Sequence, residues 1–174
     1  MAVDDELQDV VFAGDNGLAV GQHGLLGKQN LYDHSVRVPL IFCGPGIPEN
    51  ETRDSLCYLL DIYPTLCDHL GLEIPATVEG KSLEPAIGSG GVKIRDSVFL
   101  AYTHIQRGIR TDENWKLITY NYRGRQRTQL FDLNKDPWEK KDLAGLDEFN
   151  DRQKDLMKRL KIDMVSLDDF CDLD

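Results

Sequence analysis

Residues 10–13, Val-Val-Phe-Ala, form a continuous apolar run that stops without transition at Gly14-Asp15-Asn16-Gly17, and this junction constrains the fold more than any other feature of the chain. Successive β-branched and aromatic residues bounded by turn formers read as a buried strand that runs into a loop. A second run, VRVPLIF at residues 36–42, stops at the turn-rich GPGIP of residues 44–48 and is expected to be a strand with Pro39 near an edge or bulge. Residues 56–60 read as a third strand. Asp61 then stands where it can cap a helix whose first turn tolerates Pro64 and whose end is marked by Gly71. Strand followed by helix predicts an α/β layer.

Residues 76–91 are rich in Gly, Pro and Ser without sustained periodicity, which predicts a surface connection and a domain boundary, with residues 1–91 and 92–174 on its two sides. Beyond it, short strand-like pieces at 98–102, 108–110, 115–121 and 129–133 alternate with turn signals such as DEN and YRGR, the pattern of a small antiparallel sheet. Residues 147–162 place Phe149, Leu156, Met157 and Leu160 near one helical face, so an amphipathic helix is expected on that sheet. The acidic tail, SLDDFCDLD, reads as a frayed, solvated end.

Charge narrows the partners. Thirty acidic against twenty basic residues give a formal net charge of −10, which argues against a broad surface for nucleic acid or an anionic membrane. No stretch approaches the ~20 apolar residues of a membrane span, and MAVDDELQD at the start lacks the pattern of a signal peptide. Cys43, Cys57, Cys67 and Cys171 show neither CxxC pairing nor metal-ligand spacing with histidines and read mostly as buried thiols.

The chemistry concentrates in residues 11–46, VFAGDNGLAVGQHGLLGKQNLYDHSVRVPLIFCGPG. Asp15 and Asn16 offer a carboxylate and an amide carbonyl at the end of a strand. These hard oxygen ligands suit Ca²⁺ or Mg²⁺, at the place where open α/β sheets put their ligands. DNG is equally good chemistry for an Asx turn. The segment resembles the second metal-binding motif of type I sulfatases, in the alkaline-phosphatase-like superfamily. The likeness continues through LLDIYPTLCDHLGL, IRTDENWKLI and LFDLNKDPWEKKDLA, over nearly the whole chain.

That resemblance implies the C-terminal end of a large mixed-sheet α/β sandwich followed by a small antiparallel sheet with a C-terminal helix. It implies a divalent cation, Ca²⁺ ahead of Mg²⁺, held by Asp15 and Asn16. Lys28 matches the lysine that contacts the substrate sulfate, a compact positive charge against the transferring group. His23, in GQHG, either donates a proton to substrate or packs the loop. His34 and His69 read as ordinary surface or helix residues. In THIQRGIRT, His104, Gln106 and Arg107 can hydrogen-bond sugar hydroxyls or a carboxylate, or else simply end a strand in polar residues. Arg37 is expected in a structural ion pair, and Trp115 and Trp138 in core and edge packing.

The family's nucleophile is a formylglycine made from a C/S-x-P-x-R motif, and no such motif occurs in these residues. The family's first metal pair, adjacent aspartates after a strand, is not matched by Asp4 and Asp5 or by Asp168 and Asp169. The expectation is therefore a sulfuric ester hydrolase portion, with sulfated carbohydrate as substrate ahead of smaller sulfates, inactive by itself and partnered by the N-terminal portion of the same fold. The alternatives are a phosphate or phosphonate monoester hydrolase of the same superfamily and a non-catalytic binding module. A secreted, periplasmic or lysosomal setting follows from the resemblance alone. An uncovered large sheet predicts poor solubility.

Overall fold

The computed structural model describes residues 8–171 and residue 173. Asp4, Asp5, most of the amino-terminal stretch read for a signal peptide, Asp172 and Asp174 lie outside the described residues. The described residues divide into two compact units, one holding residues 8–15 together with Val38–Asp96, the other Asn16–Arg37 together with the described residues from Ser97 onward.

In the first unit, β1 (Val10–Ala13) forms where the apolar run predicts and pairs antiparallel with β4 (Leu40–Cys43), Val10 opposite Cys43 and Ala13 opposite Leu40. The second strand starts four residues later than expected. Residues Asp33–Val36 turn into a short helix, α1, and Pro39, which has no N–H to give a ladder, sits just before the strand and accepts the Gly14 amide at 3.1 Å. Residues 56–60 form no strand. Their backbone is served by side chains instead: the Tyr58 amide donates to Asp61 Oδ2 at 2.7 Å, and the chain tightens into a 3₁₀ turn, Leu59–Asp61.

Helix α2 (Ile62–His69) follows, with Pro64 in its first turn and Gly71, at φ +65°, just past its end. Asp61 precedes it as expected, but its carboxylate does not cap the helix. Fully buried, it accepts both terminal nitrogens of Arg95 at 2.6 Å and the Lys81 amide at 2.8 Å. A buried carboxylate needs such complete pairing, which explains the choice of partners. The expected surface connection contains α3 (Glu84–Gly88), whose Ala86 and Ile87 are buried with Leu83. These apolar residues fill a core rather than line a loop.

His69, at the end of α2, is no ordinary surface residue. Its Nδ1 lies 2.6 Å from Glu84 Oε1 and its Nε2 lies 3.4 Å from Asp9 Oδ1. Burial lowers its pKa, yet the hydrogen bond and charge of Glu84, the charge of Asp9 and the Pro45 carbonyl outweigh that and leave it raised. A raised histidine pKa contributes stability that is fully present below the ordinary value and is lost as pH rises through the folded value. Stability measured by urea unfolding is therefore expected to fall from acid toward mildly alkaline pH, and His69→Gln is expected to flatten that part of the profile.

Val10, Phe12 and Ile41 are each more than half exposed, so β1, expected to be buried, and its partner β4 present apolar surface. Size-exclusion chromatography of these residues alone is expected to show self-association that Phe12→Lys reduces.

The second unit is built on a four-stranded antiparallel sheet, in the order β5 (Ser97–Tyr102), β6 (Gln106–Thr111), β7 (Trp115–Tyr122), β8 (Arg125–Asp132). Strand alternation gives it two apolar faces. Ile109, Leu117 and Leu130 pack under α4 (Asn150–Ser166) against Leu156, Leu160 and Met164. The adjacent Ile118 and Phe131 point the other way and pack with Leu31 and Tyr32. The segment 16–37, with its small hairpin of β2 (Ala19–Val20) and β3 (Leu26–Gly27), thus covers the face that α4 leaves open. Each such side chain, removed from water, contributes about 1.5–3 kcal/mol.

Other expectations change. The tail is tied down: Asp169 pairs with Arg107, and Cys171 and Leu173 pack against the core. Cys43 and Cys57 are exposed, Cys171 is partly so, and only Cys67 is buried; none of the four is in a disulfide. Arg37 is exposed and makes no ion pair among the described residues, because it lies at the end of α1 and not within a strand. Trp115 packs in the core as expected, beside Phe149, whereas Trp138, in the turn after β8, is 69% exposed.

Candidate functional site

Asp15 follows β1 by two residues and is exposed. Asn16 opens the second unit with its side chain held at both ends: Nδ2 donates to the Gly17 carbonyl at 3.0 Å, and Oδ1 accepts from Lys28 Nζ at 2.8 Å. The β2–β3 hairpin produces that second contact by returning the chain, so that a lysine twelve residues later meets the asparagine.

Gly17 is required by close approach. Its amide donates to the Ser35 carbonyl at 2.9 Å, and a Cβ there would stand 2.0 Å from the His34 oxygen. Gly17→Ala is expected to destabilise the second unit by roughly 1–3 kcal/mol, read from its thermal unfolding.

His23 is presented by a tight turn, Gln22–Gly24, flanked by Gly21 at φ +116° and including Gly24 at φ +69°; His23 itself has φ +55°. Glycine tolerates these angles without cost, which fixes why GQHG carries glycines on both sides. The exposed imidazole lies flat on Tyr32, ring centroids 3.9 Å apart and planes 2° from parallel. Tyr32 is buried; its hydroxyl donates to Gln129 Oε1 at 2.8 Å, and its ring meets Phe131 edge-on. His34 stands 5.6 Å from His23 and 5.7 Å from Tyr32. Burial lowers its pKa, helped by the charges of His23 and Lys116 and opposed by Asp33.

Beneath this segment lies an ion cluster that sequence reasoning missed. Lys116, wholly buried in β7, reaches Asp33 Oδ1 at 2.6 Å and Glu139 Oε1 at 2.7 Å, while Arg110 reaches Asp33 Oδ2 at 2.9 Å. Glu139 also accepts the Asp33 amide at 2.7 Å. Burial pushes the Glu139 carboxyl above the usual range, against the pull of Lys116. A lysine inside the strand WKLIT was the available signal, since a charge between apolar neighbours on a covered face requires a partner.

The THIQR residues divide. Gln106 is buried and its Nε2 donates to the Gln29 carbonyl at 3.4 Å, next to Lys28; its Oε1 is buried without a partner. Arg107 is buried and bound by Asp169 and by the carbonyls of Thr103, at 2.6 Å, and Gln106, at 2.8 Å. His104 is exposed, its carbonyl accepting the Cys171 thiol at 3.3 Å. Lys28 and Asn16 are thus brought together, with Gln106 tied to the same loop, while Arg107 and His104 meet the tail. Among the described residues no group of three or more His, Cys, Asp or Glu is arranged to hold a metal ion. Asp15 and Asn16 suit a hard divalent cation by donor chemistry, as a partial ligand set.

The mixed α/β architecture with its terminal helix is that of the alkaline-phosphatase-like sulfatases. In fold, 93% of this chain superposes on 35% of a protein solved with its substrate D-glucosamine-2-N,6-O-disulfate, with a TM-score of 0.83 and 28% identity. It also superposes on the phosphonate monoester hydrolase of Agrobacterium radiobacter, covering 88% of this chain and 34% of that one, with a TM-score of 0.72 and 25% identity. Among curated relatives, the N-acetylglucosamine-6-O-sulfatase of Bacteroides thetaiotaomicron is 31% identical over 164 residues, 87% of this chain and 29% of that protein. The family model for the C-terminal region of N-sulphoglucosamine sulphohydrolase matches residues 21–165, and the chain belongs to this sulfatase family. It spans about a third of the length of the proteins it matches. Membership implies divalent-cation-dependent chemistry.

Proposed function

We propose that these residues are the C-terminal part of a sulfuric ester hydrolase acting on sulfated carbohydrates, residues 1–91 ending its catalytic α/β domain and residues 92–174 forming its small C-terminal subdomain, with the segment 16–37 of the former packed in the same compact unit as the latter. The observation that carries the reading is the 2.8 Å contact of Lys28 Nζ with Asn16 Oδ1. It sets a fixed positive charge beside a candidate metal ligand, an arrangement suited to an anionic ester. Asp15 and Asn16 would hold the cation, Ca²⁺ by preference, which when bound polarises a sulfate oxygen. Lys28 offsets charge on the other sulfate oxygens, and His23 gives a proton to the leaving oxygen. Of the residues expected on the sugar side, Gln106 is favoured by its unpartnered buried oxygen and His104 by its exposure, whereas the Arg107 guanidinium is already engaged by Asp169 and two carbonyls. The formylglycine nucleophile and the remaining metal ligands belong to a segment not encoded in these residues.

Calcium titration by calorimetry tests this. These residues alone are expected to bind weakly and to hydrolyse no aryl sulfate, because two ligands fall short of the six to eight oxygens Ca²⁺ takes. A longer protein carrying the upstream part of the fold is expected to bind tightly, and to lose that binding with Asp15→Ala. Tight binding and turnover by these residues alone would place the nucleophile within them and overturn the proposal. The likeness to a phosphonate monoester hydrolase supports a second reading, phosphoryl or phosphonyl ester hydrolysis at the same Asp15-Asn16 pair.

A further inference from the structure

We infer that Tyr32 is the positioning residue of His23, a buried pedestal that holds the exposed imidazole in one orientation above the reacting ester. The inference rests on the sulfatase reading for the role of His23 but on the stack itself for its geometry. An exposed histidine between two glycines in left-handed conformation has no backbone restraint that would fix its ring. Its orientation has to come from contact. The near-parallel stack at 3.9 Å supplies that contact, with the His34 ring a looser second neighbour at 5.6 Å, and a face-on stack leaves the nitrogens, which lie on the ring edge, to meet a substrate.

The pedestal is itself rigid. Tyr32 is buried, packs with Leu31, Ile118, Phe131 and Leu133, and ends in the hydrogen bond to Gln129 Oε1. Tyr120, partly buried on β7, packs against the same cluster, and burial pushes its phenol pKa up. The ring of His23 is therefore positioned from β7 and β8, through the packing of Ile118 and Phe131 on Tyr32 and its bond to Gln129, in addition to its own turn. The tyrosine hydroxyl, on the far side from solvent, has no direct part in the chemistry. Its function is to stop the pedestal ring from turning.

Two measurements test this, one of them independent of turnover. In proton NMR of the protein, the His23 ring protons are expected upfield of free histidine by the ring current of Tyr32, with Tyr32→Leu returning them to the free position and Tyr32→Phe keeping most of the displacement. In the longer protein, Tyr32→Leu is expected to lower kcat for a sulfate ester about 10-fold with little change in KM, since misplacement of a proton donor acts on the transition state. Tyr32→Phe is expected to stay within about 3-fold. In a His23→Ala background, Tyr32→Leu is expected to cost nothing further. A ring-proton position unchanged by Tyr32→Leu, or a Tyr32→Leu penalty as large without His23 as with it, overturns the inference. Absence of sulfate-ester turnover in the unsubstituted longer protein, with the upfield shift present, would instead reject the sulfatase reading and leave the pedestal standing.

Discussion

In a protein that joins these residues to the upstream part of the fold, Lys28→Ala is expected to lower kcat for sulfate-ester hydrolysis by about 10²–10³-fold, the effect of deleting one fixed donor from a site where charge develops. The ammonium is held 2.8 Å from Asn16 Oδ1, so its place is set before substrate arrives. Lys28→Arg is expected to recover only part of the loss. The guanidinium is planar and longer, and the site offers a point-charge geometry. Steady-state kinetics separates the two outcomes, because a lysine that only stiffens the hairpin would change thermal stability and leave kcat within a few-fold.

The second large effect is on stability. Lys116→Met is expected to cost about 3–5 kcal/mol, measured by urea unfolding, because it strips the buried carboxylate of Glu139 and the partly buried one of Asp33 of their shared, wholly buried cation. Arg110 would remain on Asp33, but Glu139 would have no cation left at its Oε1. Protonation of Glu139 is then the least costly response, so the variant is expected to lose less stability at acid pH than at neutral pH. A companion Glu139→Gln in the Lys116→Met background is expected to return part of the loss. These four residues tie α1, within the segment that bears Lys28 and His23, to β6, β7 and the turn after β8, so the cluster also anchors the site.

Local signals were legible where one short run of residues decides the outcome. VVFA followed by GDNG gave β1 and its end; the turn signals DEN and YRGR gave the hairpins of the second sheet; Phe149, Leu156 and Leu160 gave α4. Segments whose backbone is satisfied by distant side chains were not legible. Residues 56–60 have strand-like composition, but Asp61 takes up the Tyr58 amide, the preceding Ser55 takes up the amide of Ile94, 39 residues away, and among the described residues no strand pairs with them. The start of β4 depends on α1, which has only four residues and is held by Glu139, 106 positions from Asp33. Periodicity carries nothing about such a contact.

The site divides in the same way. Asp15, Asn16, His23 and Lys28 were singled out by a motif confined to fourteen residues, and the structure adds the Lys28–Asn16 contact to it. Tyr32 was passed over because a tyrosine in QNLYDHS is unremarkable until Gln129, 97 residues later, takes its hydroxyl. Arg107 reads from sequence as a candidate for substrate hydroxyls or a carboxylate, or as strand-end polarity, yet the carboxylate it meets is Asp169, in the tail that composition marks as frayed. An acidic tail and a buried arginine explain each other only once both are in place.

The most direct test of the account compares a sulfate ester and a phosphate ester of the same leaving group, hydrolysed by the longer protein with calcium, for the unsubstituted sequence and for Asp15→Ala. The account predicts sulfate-ester turnover that exceeds phosphate-ester turnover and falls by at least about 10²-fold in the variant, as removal of a ligand to a charge-stabilising cation requires. Phosphate-ester turnover exceeding sulfate-ester turnover, or sulfate-ester turnover indifferent to Asp15, would contradict it.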